Sequence, residues 1–150
     1  QLYKIERKGK GLLVLMLSII VILGVLLLIG TLPITGSDNN TTIRNDTLFI
    51  EGLYAKEIPI ASITQVDSNA TVPDIEMRTN GMSLGEINVG HFKTEEGQDV
   101  LLYLHSDDTN VTHIKTKNNE DIYINFKDSA LSVDFPNKLK ASFHRPVKGK

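Results

Sequence analysis

No charged residue lies between Lys10 and Asp38, and within that gap Leu12 to Ile29 is apolar except for Ser18 and Gly24. A bilayer-crossing helix needs roughly 20 predominantly apolar residues, so 11–32 reads as a transmembrane helix. Secretory signal peptides have shorter apolar cores, about 7–15 residues, and end in a small-x-small cleavage site. Leu32-Pro33-Ile34 offers no such site. A buried core helix is the remaining alternative, because leucine and isoleucine occur on every face. Lys4, Arg7, Lys8 and Lys10 crowd the N-terminal flank against Glu6, whereas the other flank offers Arg44. Basic residues stay on the cytoplasmic side. The expectation is a single-pass cell-membrane protein with its N-terminus cytoplasmic and its C-terminal domain extracytoplasmic. Leu32 to Gly36 matches the Leu-Pro-x-Thr-Gly pattern cut by sortases, but it follows the apolar segment instead of preceding it. With Gly30 before it and Pro33 within it, it reads as a helix stop.

This divides the chain into a basic flank (1–10), the apolar helix (11–32), a polar linker (33–46), a folded domain (47–140) and a basic tail (141–150). Residues 36–150 hold twelve Lys or Arg against seventeen Asp or Glu, a net charge of −5. Nucleic acid requires a basic face, so it is excluded as a partner. The local exception is the C-terminus, with Lys138, Lys140, His144, Arg145, Lys148 and Lys150. The chain has no cysteine, which removes disulfides, thiolate catalysis and cysteine-based zinc sites. An extracytoplasmic domain without disulfides suits a bacterium better than a small secreted animal domain. Asn-x-Ser/Thr sequons at Asn39, Asn40, Asn45, Asn69 and Asn110 accordingly read as compositional accidents.

From Thr47 onward, strands recur every 8–12 residues with turns between them, the mark of an antiparallel sandwich or barrel. Leu48 and Ile50 share one face of a short strand, and Gly52 starts the turn to Tyr54–Ile60, where Pro59 marks a strand end or an edge. Ala61-Ser62-Ile63 fits a single helical turn before Thr64–Asp67. A loop holding Asn69 and Pro73 leads to Asp74–Thr79. Asn80-Gly81 then signals a tight turn, since a type I′ turn needs positive φ at both central positions. Gly85–Phe92 follows, with Gly90 marking a bulge. Asp99–Leu104 is apolar on both faces and reads as a central strand. Val111–Thr116 and Asp121–Phe126 follow, the latter alternating with Ile122, Ile124 and Phe126 on one side. The only helical segment outside the apolar run begins at Asp128-Ser129, either of which caps it, and Pro136 is expected to break or restart it.

This order of strands with one closing helix resembles the pleckstrin-homology superfold. The local sequence is similar to the bacterial pleckstrin-homology-like (PH-like) domain of small membrane proteins, over about residues 47–140. Four stretches carry the resemblance: Leu48–Tyr54; Ile58–Ile63; Arg78–Gly81 with Gly85 and Gly90-His91-Phe92; and Ile114–Lys117 with Tyr123-Ile124-Asn125. The expected fold is therefore α+β: one N-terminal transmembrane helix, then a PH-like antiparallel β-barrel or sandwich of about seven strands closed by a short C-terminal helix. The resemblance implies no enzymatic activity and no ligand set that transfers residue by residue.

The candidate chemistry is sparse. Phosphoinositide-binding relatives cluster Lys and Arg around the first hairpin loop. Gly52–Glu57 supplies only Lys56, answered by Glu57, so a phosphoinositide is not an expected ligand. His91, His105, His113 and His144 show no metal-ligand spacing, and His105 with Asp107 and Asp108 reads as a solvated loop. No nucleophile, phosphate-cradling or zinc-protease motif occurs, so no catalytic, metal or cofactor residues are assigned. Arg78 and His91, beside Asn80-Gly81, are the candidate ligand-binding residues. The more economical reading of Arg78 is an ion pair with Glu86 across the hairpin. The expected function is a non-enzymatic, membrane-tethered recognition module. It would contact the lipid bilayer through its helix and bind a membrane protein partner at an open strand edge or a groove beside the C-terminal helix. The alternative is an envelope sensor or binder of lipid, wall polymer or small ligand, carried by the basic tail and the polar linker.

Overall fold

The computed structural model describes residues 2–31, 40–107 and 110–143, with side chains of the first helix described for 11–25. The chain divides into two units, 1–35 and 36–150. The first holds helix α1 (Leu2–Thr31). Its described side chains are all exposed. Among the described residues no helix is long and apolar enough to cross a membrane. This corrects the expected transmembrane span over 11–32, and with it the single-pass membrane location and its orientation. The Leu32–Gly36 pattern and His144 to Lys150 of the basic tail lie outside the described residues.

The second unit contains nine described strands: β1 (Asn40–Arg44), β2 (Thr47–Glu51), β3 (Lys56–Pro59), β4 (Ile63–Asp67), β5 (Ile75–Leu84), β6 (Ile87–Thr94), β7 (Asp99–Leu104), β8 (Thr112–Thr116) and β9 (Asp121–Ile124). A single 3-10 turn (Ile60–Ser62) precedes β4, and helix α2 (Ser129–Ser142) closes the chain's described part. One sheet runs β1-β2-β3 and the other β4-β8-β9-β7-β6-β5. The fold is α+β, a sheet-rich PH-like domain with a C-terminal helix. It has more strands than the expected seven, and it is not wholly antiparallel, because β9 inserts between β7 and β8 and runs parallel to β7.

β1 falls inside the stretch read as linker. Asn45 and Asp46, at φ 50 and 55, form the two-residue hairpin that pairs Arg44 with Thr47, the geometry of a type I′ turn. Pro59 lies opposite Thr47 on the edge strand β3. Thr47 already exchanges its ladder bonds with Arg44 across that turn, so the missing proline N–H costs β3 no bond.

Asn80-Gly81 is not a turn. β5 continues through it, and the chain reverses between Leu84 and Ile87 around Gly85 at φ 58. Gly81 is required by proximity: a Cβ there would stand 2.7 Å from the Val89 carbonyl oxygen and 3.1 Å from Phe92 Cε2. Its partner Gly90, at φ 114, is equally confined, with a Cβ position 2.6 Å from the Asn80 carbonyl oxygen. The bulges themselves sit on β5, where the register slips between Ile75 and Met77 and between Arg78 and Asn80.

The core lies between the sheets. Leu48, Ile50 and Ile58 of the small sheet pack with Val89, Leu101, Tyr103, Ile114, Ile122 and Ile124 of the large one, and Phe126, Phe135 and Leu139 close one end. A second cluster, Phe92, Val100 and Leu102, occupies the opposite face of the large sheet. It is covered by the connection 68–74, which joins strands at opposite sheet edges and lays Val72 on the cluster. Pro136 does not interrupt α2, which runs continuously through it with the proline buried.

Candidate functional site

The two residues singled out from sequence do not converge. Arg78 lies opposite Phe92, and His91 lies opposite Asn80 and Leu101. Opposed residues share a face, so Arg78 belongs with the Phe92–Val100–Leu102 face and His91 with the Val89–Leu101–Tyr103 face. Both are exposed. Arg78 faces Phe92 across the hairpin, and no ion pair between it and Glu86 forms. Lys56, the lone cation of the first hairpin loop, pairs with Glu120 at 2.6 Å.

A constellation that sequence reasoning missed lies on the outer face of β4, β8 and β9. His113 Nε2 is 2.7 Å from Asp121 Oδ1, and its Nδ1 is 3.4 Å from Asp67 Oδ2. Its ring stacks on Tyr123 at 4.7 Å, and Gln65 donates to Asp67 at 2.7 Å. Lys115 adds a longer contact to Asp121 at 3.6 Å. Burial, then the charges of Asp121 and Asp67, push the Tyr123 phenol up. These groups bond one another, tying edge strand β4 into the sheet. Among the described residues no cluster of His, Asp or Glu forms a metal site.

Among the described residues, a groove opens between β1 and α2. Thr41 and Ile43 form one wall, and Phe135, Lys138, Ala141 and Ser142 the other, around a volume of about 390 Å³. A smaller hollow of about 170 Å³ extends it past Asn40, Phe126 and Leu131. The sequence pattern accounts for both walls. β1 alternates, so Thr41 and Ile43 turn inward while Asn40, Thr42 and Arg44 are exposed. Arg44 lies over the Phe49 ring, its Cζ 4.4 Å from the centroid. On α2, Asp128 caps the first turn by accepting from the Ala130 amide. Phe135 and Leu139 anchor the helix in the core. The groove remains because β1 ends the small sheet, while α2 packs on β4 and β8 of the large one. It is mainly apolar and has Lys138 on its rim, paired to Asp134 at 2.8 Å with both side chains more than half exposed. Such a site holds a ligand by shape, apolar contact and main-chain bonding.

Comparison with known proteins matches residues 39–138 to the family model described as bacterial PH domain. No curated protein and no solved structure matches the chain.

Proposed function

The chain belongs to the bacterial PH domain family, and from that premise we propose that it is a non-catalytic module that binds a protein partner in the groove between β1 and α2. The observation that carries this reading is the groove itself: an apolar cleft formed where a sheet edge and the closing helix fail to meet. Binding clefts are concave and mostly apolar with a few polar groups to orient the occupant. Strand edges beside such clefts accept extended segments. The alternative of lipid or wall-polymer binding rests on the basic tail, most of which lies outside the described residues.

Ala141, exposed on the groove wall, provides the test. Ala141→Arg fills the cleft without touching the core. Crosslinking in cells with the full chain and with this variant is expected to recover a reproducible protein partner only with the former, at unchanged thermal stability. A partner retained by the variant, or none at all, overturns the reading. Binding to phosphatidylglycerol vesicles abolished by the same substitution would overturn it in favour of lipid.

A further inference from the structure

The β1–β2 register specifies which main-chain groups face the open edge. With Arg44 and Thr47 flanking a two-residue turn, the pairs 44–47, 42–49 and 40–51 are the hydrogen-bonded ones. In an antiparallel ladder the intervening residues point their N–H and C=O away from the partner strand. Those residues are Thr41 and Ile43, whose side chains also line the groove. Donors, acceptors and apolar wall thus coincide on the same two residues. No described residue pairs with β1 on that side.

We propose, resting on the groove reading above, that the occupant is an extended segment of the partner that adds to β1 as a further strand. The segment presents apolar side chains on alternate residues to the groove and an acidic residue to Lys138. The alternation follows from the period of a strand: residues opposite Thr41 and Ile43 turn into the cleft against Phe135 and Ala141, and the residue between them turns outward beside Thr42. The acidic preference follows from Lys138. Its existing pair with Asp134 is an exposed contact between neighbouring helix turns, worth little in water, so a carboxylate from the segment displaces it readily. An edge whose outward main-chain groups no described residue pairs favours a strand over a compact small molecule.

The full chain is screened against a displayed library of short random peptides, and the selected peptide is titrated by nuclear magnetic resonance. Expected are sequences with alternate apolar residues and a flanking acid, and shifts centred on Thr41, Ile43 and the groove side of α2. Thr41→Pro removes an outward N–H without breaking a ladder bond to β2, and is expected to weaken binding by about tenfold, the worth of one to two hydrogen bonds. Thr41→Val keeps the N–H and should bind as the parent does. Independently of any variant, N-methylation of the peptide should abolish binding only at alternate amides, those facing β1. Peptides lost with Ala141→Arg but insensitive to Thr41→Pro and to N-methylation would overturn strand addition while leaving the groove as a site. Failure to select any peptide would overturn strand addition too, and the crosslinking result then decides the groove reading on its own.

Discussion

Tyr103 is the residue whose chemistry most depends on where the fold puts it. Its ring lies in the core at 2% exposure, and its hydroxyl donates to the Tyr54 carbonyl at 2.7 Å. Burial, and secondarily the charge of Glu120, push its pKa up from 10 to about 12. The folded state therefore favours the protonated phenol. That stabilisation is fully present below about pH 10 and is lost as the pH rises from there through about 12. Thermal unfolding followed across this window should show Tm falling more steeply for the parent than for Tyr103→Phe. At neutral pH the same variant should be less stable by about 1 kcal/mol, the lost hydrogen bond. Nothing in the sequence around Tyr103 distinguishes it from any strand tyrosine. The Asp67–His113–Asp121 network was equally hidden, because its members come from three strands and no local spacing joins them. Gly81 and Gly90 stood out as glycines, but their reason, backbones in contact across a hairpin, is a property of the pair.

At the scale of elements, local chemistry was legible wherever one short segment decided the outcome. The 3-10 turn before β4, the strand Asp99–Leu104 and the cap at Asp128 all follow from residues adjacent in sequence. The cap can be weighed directly. Asp128→Ala removes the acceptor of the Ala130 amide and should cost about 1 kcal/mol, read as a lower urea midpoint at unchanged slope. Two elements ran against local preference. Asn80-Gly81 remained in β5 because the hairpin reverses at Gly85, where a positive φ is met without crowding. Pro136 remained in α2 although an interior proline costs about 3 kcal/mol. Phe135 and Leu139, on either side of it, are buried, and full burial contributes about 1.5–3 kcal/mol each, enough to offset the proline.

For the whole molecule, α2 is the closing piece of the sandwich, and Leu139 is its fully buried contact with the core. Leu139→Ala should destabilise the domain by about 2–5 kcal/mol, measured by denaturant unfolding. If that residue were peripheral to the core, the loss would be well under this range. By itself the sequence determined a sheet-rich domain of the PH type, its strand spacing and its closing helix. These depend on periodicity and turn chemistry within short windows. Tertiary structure alone decided the insertion of β9 between β7 and β8, the placement of β1 as an open edge, the groove beside α2, and the opposite faces taken by Arg78 and His91. It also corrected the apolar run, among whose described residues no membrane-crossing helix is found. The physical reason is one of range: hydrophobic period and turn preference act between near neighbours, whereas pairing order, faces and clefts arise from contacts between segments far apart in the chain.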